Sequence, residues 1–176
     1  MIPIPHIKSI HVGLDWADDY ESLCHKLILQ HKWSQKIYKT GRQVFEIAPN
    51  NIRLFEPLFD IIQNEVVKTF PKIKIGDRKS WAYVSNSERY QYSFHRHTTI
   101  SIKRNISTVY YLKKSEGGIS FDVDGKKYVH DPKEGELLIF PAVYLHSPLP
   151  LNSKEYRISL NVNFDTENYY IDFLDR

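Results

Sequence analysis

The residues best suited to chemistry in this sequence are three histidines, two of which stand one residue apart. His95 and His97 flank Arg96, and His146 comes much later, beyond the predicted strand Gly135–Pro141. Alternate residues of an extended strand face the same side, so the first two imidazoles would reach one ion together, and His146, which follows a separate strand, would add a third imidazole. Imidazole binds iron, zinc, copper and nickel, so the ligand type alone does not select the metal.

An Arg-x-Ser motif follows the third histidine. Arg157 can bind a carboxylate through two parallel charge-assisted hydrogen bonds, and Ser159 can add a third. With Asn161 and Asn163 they form a polar row on a strand whose other face is apolar, which is more typical of a pocket lining than of a solvated face. The alternative is that Arg157 forms a surface salt bridge. If the bound carboxylate is the distal end of 2-oxoglutarate, the keto-acid end can chelate Fe(II) and leave one site for O₂.

The elements that must position these residues are short strands preceded by two helices. Apolar spacing predicts a helix from Asp15 to His31, capped by Asp15, and a second from Glu56 to Phe70. Gln43–Ile47 is predicted as a short strand. From Lys79 onward the pattern has period two, with turns between the runs, which is typical of a sandwich, barrel or jelly roll. The predicted strands are Trp81–Ser85, Gln91–Ile102, Ser107–Lys113, Ile119–Val123, Lys127–Val129, Glu136–Phe140 and Tyr156–Phe164.

The bulk composition is that of an ordinary globular chain. We expect residues 1–176 to form one domain, since 176 residues with 41% hydrophobic content suit a single core. A net charge of +3 with scattered charges does not indicate a nucleic-acid partner. Cys24 is the single cysteine, which favours a reducing compartment. Neither a signal peptide nor a membrane span is predicted, so we expect a cytoplasmic protein.

Residues 81–164 resemble the Fe(II)/2-oxoglutarate-dependent dioxygenases of the prolyl-hydroxylase type. They are most similar to small oxygenases of phages and bacteria that carry His-x-His before a Tyr-Tyr strand. Each matching motif is common alone, whereas their order is specific. The motifs are Tyr83, His95-Arg96-His97, Val109-Tyr110-Tyr111-Leu112, Gly117-Gly118-Ile119, Gly135–Pro141, His146 and Arg157-Ile158-Ser159.

The resemblance implies a mainly β fold, a double-stranded β-helix (a cupin-like jelly roll) over residues 79–166, with a helical layer from residues 1–75 on one sheet. It also implies a hydroxylase that uses Fe(II), 2-oxoglutarate and O₂ and releases succinate and CO₂. The implied metal ligands are His95, His97 and His146. The residues implied to bind the cosubstrate are Arg157, Ser159, Tyr111 and Tyr83.

The sequence departs from this family at one ligand. Most members use two histidines and a carboxylate, whereas His97 stands at the carboxylate position, which leaves the site more cationic and more dependent on the charge of the cosubstrate. Two alternatives stay open. The motif would start at His97 and place Thr99 at the carboxylate position, or a carboxylate would reach in from a neighbouring strand. The candidates are Asp122, Asp124 and Glu136.

Two other classes of protein fit parts of the pattern. A cupin-type dioxygenase can hold iron with three histidines without using 2-oxoglutarate, although Arg157 and Ser159 argue against it. A non-catalytic jelly-roll module would hold a structural ion, but closed structural zinc sites normally have four protein ligands. The sequence does not identify the primary substrate. Tyr90, Tyr92, Arg104 and Tyr144 are predicted at the rim of the site.

Overall fold

A computed structural model describes residues 6–38, 44–46, 53–87, 93–97, 105–114 and 116–167. Within these ranges the chain forms two α-helices, one short 3-10 turn at Arg53–Phe55 and nine strands. The helices are α1 (Tyr20–Tyr38) and α2 (Glu56–Thr69). The strands are β1 (Lys8–His11), β2 (Val44–Glu46), β3 (Ile75–Ser85), β4 (Asn105–Lys113), β5 (Ile119–Val123), β6 (Lys126–His130), β7 (Glu136–Pro141), β8 (Leu145–Pro148) and β9 (Arg157–Thr166).

The strands form two antiparallel sheets, as the predicted jelly roll requires. The larger sheet has the order β1-β7-β4-β9-β3-β2, and the smaller has the order β6-β5-β8. An isolated antiparallel bridge joins His95 to His146 and so extends the smaller sheet beyond β8. The fold is therefore mainly β, with the smaller sheet closing over one face of the larger one.

The two faces of the larger sheet bury different cores. One face contributes alternate residues such as Tyr110, Leu112 and Leu160 to a core shared with both helices. The other face contributes Val109, Tyr111 and Leu138 and others to a smaller core with residues of β5. This alternation follows from the two-residue period of a strand. The apolar row of β9 thus packs against the helical layer, and its polar row points between the sheets.

Both helices begin where local chemistry favours a start. The Ser22 backbone N–H donates to Oδ1 of Asp19 at 3.0 Å, a cap that typically contributes about 1 kcal/mol. The predicted start at Asp15 is therefore wrong, since residues 15–19 form turns before the helix. In α2, Pro57 lies in the first turn, where no hydrogen bond from its nitrogen is needed. Neither helix meets the length and apolarity needed to cross a membrane within the described residues.

Most predicted strands are confirmed, with bounds that differ by a few residues. β3 is the largest extension, because it begins at Ile75 rather than Trp81. The short strands β1 and β8 were not predicted. Both are held in an extended conformation by pairing with longer strands, β1 with β7 and β8 with β5. Of the predicted strand Gln91–Ile102, only residues 93–97 are described, and they form the single bridge at His95. The remainder lies outside the described residues, as do Tyr90, Tyr92 and Arg104.

A buried carboxylate ties the N-terminal strand to the core of the fold. Glu136 accepts hydrogen bonds from the Ser9 hydroxyl and from the Lys133 backbone N–H, and it pairs with Nε2 of His130. Burial alone would raise the pKa of Glu136, but these hydrogen bonds outweigh it and lower the pKa. The side chain thus stays ionised and connects β1, β6 and β7.

Candidate metal centre

Three imidazoles meet at the open end of the space between the sheets. One ring nitrogen from each of His95, His97 and His146 lies within 4.8 Å of the others, and the ring centroids are 4.6–4.9 Å apart. The His95 backbone N–H donates to the His146 carbonyl at 2.9 Å, and the His146 N–H returns the bond at 3.0 Å. Two segments that are far apart in sequence are thus joined at the residues that carry the rings.

Backbone carbonyl groups determine which ring nitrogen of His95 and of His146 is available to a metal ion. Nδ1 of His95 lies 2.9 Å from the carbonyl oxygen of Ser93, and Nδ1 of His146 lies 2.9 Å from that of Tyr144. A carbonyl oxygen only accepts, so each Nδ1 must carry the proton and each Nε2 keeps its lone pair. Metal-binding histidines are commonly oriented by such contacts. Both rings are therefore prepared to offer Nε2 to an ion.

Burial keeps the imidazoles of His97 and His146 neutral. Desolvation lowers the pKa of His146 to about 3 and that of His97 to about 4, and in both cases the neighbouring histidines act in the same direction. The Phe140 ring packs edge-on to His146 at 5.0 Å, and the Trp81 ring lies 4.9 Å from His97. Only a neutral imidazole coordinates a metal, so at neutral pH both rings are in the form that binds.

Arg157 is a buried cation without a described anionic partner. Its side chain is 1% exposed, and its Nη1 donates to the carbonyl oxygens of Leu149 and Gly118 at 3.2 and 3.4 Å. Its Nη2 is buried and has no hydrogen-bond partner among the described residues. Burial lowers the pKa of Arg157. An unpaired buried guanidinium is costly, so a carboxylate bound here would supply the missing contacts.

A cavity of about 620 Å³ connects the arginine to the imidazoles. Tyr111, Ser159 and Tyr83 occupy directly paired positions on β4, β9 and β3 and form one row of its wall. The Arg157 guanidinium lies 5.9 Å from the centre of the Tyr83 ring. The complete described lining is Trp81, Tyr83, His95, His97, Val109, Tyr111, Gly118, Ile119, His146, Pro148, Arg157, Ser159 and Asn161.

All seven residues that the sequence pointed to as site residues therefore lie on one cavity. The polar row of β9 lines it, and the alternative of a surface salt bridge is not observed, because Arg157 is buried and forms no salt bridge among the described residues. Sequence reasoning missed Trp81, which lies two positions before Tyr83 on the same face of β3. The period-two pattern could have found it.

No carboxylate joins the three imidazoles in the described part of the chain. Asp122 alternates with Phe121, whose ring packs 6.0 Å from His146, and therefore faces the other side of β5. Asp124 lies in the turn between β5 and β6, and Glu136 is already bonded to Ser9 and His130. The proposal that one of these three completes the site finds no support. Thr99 lies outside the described residues.

Part of the chain matches a known protein family. The model of the 2OG-Fe(II) oxygenase superfamily matches residues 82–165, from within β3 to within β9. This segment belongs to the 2OG-Fe(II) oxygenase superfamily. The family implies Fe(II) as the metal and 2-oxoglutarate as the cosubstrate. The donor set fits both groups, since three imidazole nitrogens converge in the same cavity as an arginine that has no anionic partner among the described residues.

Several solved structures share the fold. A prolyl-4-hydroxylase from Pseudomonas putida aligns with a TM-score of 0.63 at 16% identity, covering 93% of this chain and 94% of the other. A Trichoplax adhaerens prolyl hydroxylase, in complex with a hypoxia inducible factor peptide, gives 0.68 at 14% identity and coverages of 95% and 86%. HygX from Streptomyces hygroscopicus, with nickel and 2-oxoglutarate bound, aligns with a TM-score of 0.66 at 10% identity, covering 93% of this chain and 83% of the other. Comparison with curated protein sequences gives no match.

Proposed function

We propose that this chain is an Fe(II)- and 2-oxoglutarate-dependent dioxygenase that hydroxylates its substrate. One oxygen atom of O₂ would enter the new hydroxyl group, and the other would enter the succinate formed as 2-oxoglutarate loses CO₂. The observation that carries the proposal is the buried Arg157, whose Nη2 has no hydrogen-bond partner in the described part of the chain, in the same cavity as three converging imidazoles. A metal site alone would not require that arginine.

His95, His97 and His146 are proposed to hold the iron. The Nδ1 contacts of His95 and His146 support this role, because they hold the rings with Nε2 free and reduce the reorganisation that binding requires. Bound Fe(II) supplies the activation of O₂ that protein side chains cannot provide. With three neutral ligands, the protein itself contributes no negative charge to the metal from the described residues.

Arg157, Ser159, Tyr111 and Tyr83 are proposed to bind and orient 2-oxoglutarate. Arg157 would take the distal carboxylate through its free Nη2, with hydroxyl donors on the paired positions Tyr111 and Ser159 beside it. Burial raises the pKa of Tyr111, so its hydroxyl remains a donor at physiological pH. The dianion would place one carboxylate against the guanidinium and the other on the metal, which gives the cosubstrate a larger electrostatic role than in a site with a carboxylate ligand.

The apolar part of the wall is proposed to exclude water from the reacting groups. Val109 and Ile119 line the cavity. Phe121 and Phe140 pack behind His146. Removing water strengthens the interactions between charges inside the site.

The proposal is tested by anaerobic titration of the Fe(II)-loaded protein with 2-oxoglutarate. Chelation of a keto acid by Fe(II) gives a visible charge-transfer band, and Arg157→Gln should shift its appearance to much higher 2-oxoglutarate concentrations. On admission of O₂, succinate and CO₂ should form in equal amounts. A protein that binds Fe(II) but never shows the band would contradict the proposal.

The second candidate is a three-histidine dioxygenase that does not use 2-oxoglutarate. The absence of a carboxylate from the described donor set is the observation that favours it. Such an enzyme would consume O₂ with its primary substrate without forming succinate, so succinate analysis separates the two candidates.

We also propose that residues 1–176 form a single domain. Support comes from the continuous core that α1 and α2 share with the larger sheet.

A further inference from the structure

The cavity wall continues past the positions assigned to the cosubstrate. Trp81 and Asn161 are directly paired on β3 and β9, and both line the cavity. The pair next to them on the same face is Tyr83 and Ser159. Residues two apart on a strand are separated by about 7 Å, so Trp81 and Asn161 lie one step farther from Arg157 along the strands.

Trp81 lies beside the candidate metal centre. Its ring centroid is 4.9 Å from that of His97, with the ring planes inclined at 60°, and the residue is only partly buried. A molecule that enters the cavity beside the imidazoles would therefore contact this indole. Aromatic faces bind flat groups through dispersion and quadrupole interactions.

Asn161 carries hydrogen-bonding capacity that no described residue uses. Its side chain is 9% exposed, and its carboxamide lines the cavity without a hydrogen bond in the described part of the chain. A carboxamide offers two N–H donors and one carbonyl acceptor. A ligand that covered Asn161 without matching these groups would leave a buried polar group unsatisfied.

The charge of this wall restricts what binds there. The described lining includes no carboxylate, and its one guanidinium belongs to Arg157. Once 2-oxoglutarate occupies Arg157 and the metal, a charged group placed against Trp81 and Asn161 would lose water without gaining an ion pair from the described lining. The wall fits a neutral group that is flat and that presents a donor and an acceptor together.

We propose that Trp81 and Asn161 form the subsite for the primary substrate and select a neutral, planar amide group. This inference rests on the proposed function, which reserves the Arg157 end of the cavity for 2-oxoglutarate. An amide holds its N–H and C=O in one plane, so its edge matches the Asn161 carboxamide while its face packs on the Trp81 indole. Sites of this kind reject analogues that lack the matching group far more strongly than apolar pockets reject a size change.

The test uses 2-pyrrolidinone, whose N–H and C=O lie on one edge, and N-methyl-2-pyrrolidinone, which lacks the N–H. The protein is loaded with Mn(II) and 2-oxoglutarate, and binding of both is first measured by calorimetry. Paramagnetic relaxation of the ligand protons by Mn(II) then reports binding near the metal and gives a Kd for each compound. This readout needs no turnover.

We expect 2-pyrrolidinone to bind roughly tenfold or more tightly than the N-methyl compound, as for one unmatched buried polar group. Asn161→Leu should abolish this preference while the affinity for 2-oxoglutarate stays the same. Asn161→Ala, which removes both the acceptor and the N–H donors with a smaller side chain, provides a second variant if the leucine protein folds poorly. Trp81→Leu should weaken the binding of both compounds. Asn152→Leu, at an exposed asparagine outside the cavity, should change nothing.

Equal affinity for the two compounds in the wild type would overturn the inference, as would a preference that survives both Asn161 variants. A parallel loss of 2-oxoglutarate affinity in those variants would also overturn it, because Asn161 would then serve the cosubstrate. If the wild-type protein binds Mn(II) but not 2-oxoglutarate, the proposed function fails and this inference fails with it. Normal 2-oxoglutarate binding without discrimination overturns the subsite alone.

Discussion

The role of Arg157 could be predicted in part from the sequence, but its hydrogen bonds are seen only in the structure. Its spacing from Ser159 indicated carboxylate binding, and strand alternation placed both on one face. The sequence could not show that Nη1 donates to two carbonyl oxygens while Nη2 has no partner among the residues that the structure describes. Those contacts depend on Leu149 and Gly118, which come from other segments and are brought together only by folding.

Arg157→Lys should weaken 2-oxoglutarate binding by about 1–3 kcal/mol, the range for hydrogen bonds to charged partners. Lysine keeps the charge but cannot make the two-pronged contact. Tyr111→Phe should give a smaller loss, since it removes one neutral donor. Calorimetry on the metal-loaded proteins measures both. Unchanged affinity in the lysine variant would exclude Arg157 as the anchor of the distal carboxylate.

His97 should contribute to metal affinity, because its imidazole is neutral and can therefore donate a lone pair to the ion. We expect His97→Ala to weaken Fe(II) binding by at least about tenfold, or about 1.4 kcal/mol, and His146→Ala to weaken it further because His146 is the most buried of the set. His97→Asp should retain binding, since a carboxylate adds negative charge beside the ion. Competition with a metal-sensitive dye under anaerobic conditions gives the affinities. Wild-type affinity in the alanine variant would place His97 outside the coordination sphere.

At the scale of elements, long periodic strands were predictable and short ones were not. The pattern of β9 was clear because its apolar row meets the helical layer along its whole length. β8 has four residues and depends on pairing with β5, so its own sequence carries little strand signal. His146 therefore lies within a strand, whereas the sequence placed it after a proline turn. The distances between ligands depend on that pairing and could not be read from the chain.

Gly118 connects two elements of the site at close range. A Cβ at this position would lie 2.1 Å from the His130 carbonyl oxygen, and the Gly118 carbonyl accepts from Arg157. We expect Gly118→Ala to destabilise the protein by about 1–3 kcal/mol, the usual cost of overpacking, because β5 and β6 must separate. It should also weaken 2-oxoglutarate binding.

Urea unfolding and calorimetry measure these two effects. Gly125→Ala provides a comparison without crowding, since a Cβ there meets nothing within 4 Å, although its φ of +75° adds some strain. An alanine at position 118 that left both stability and affinity unchanged would show that the strands are free to shift.

For the whole molecule, the neutral histidines make the metal-free protein sensitive to acid. The unfolded chain takes up protons near pH 6.5, whereas His97 and His146 stay neutral in the fold until about pH 4 and about pH 3. The unfolded state therefore binds more protons within this window, and the free energy of unfolding falls as the pH drops from about 6.5 towards these values. The upper bound is about 1.4 kcal/mol per histidine per pH unit, and less for His97, which is partly exposed.

Chemical unfolding of the metal-free protein between pH 7 and pH 4 measures this loss. Replacing both His97 and His146 with asparagine should flatten the profile over that range. His25→Asn, at an exposed position on α1, should leave the profile unchanged. A wild-type profile that is already flat would mean that neither imidazole is kept neutral by the fold.

Metal and cosubstrate should stabilise the whole molecule more together than separately. Each ligand raises the melting temperature by binding the folded state, and the dianion offsets the charge that three neutral imidazoles leave on the ion. The two binding free energies are therefore coupled, and the coupling is reciprocal. Differential scanning calorimetry with Mn(II), with 2-oxoglutarate and with both should show a shift larger than the sum. A purely additive shift would contradict the coupling.

The paired backbones of His95 and His146 have a consequence for the choice of ion. Two residues that exchange both N–H···O bonds have their Cα atoms about 5.5 Å apart, a span that the sheet holds constant. An ion of different radius cannot change that span, so the adjustment falls on His97, whose backbone makes one hydrogen bond, from its N–H to the Ala142 carbonyl at 3.2 Å, rather than a reciprocal pair. Discrimination between divalent ions of different radius would then depend on how far the His97 ring can move against Trp81.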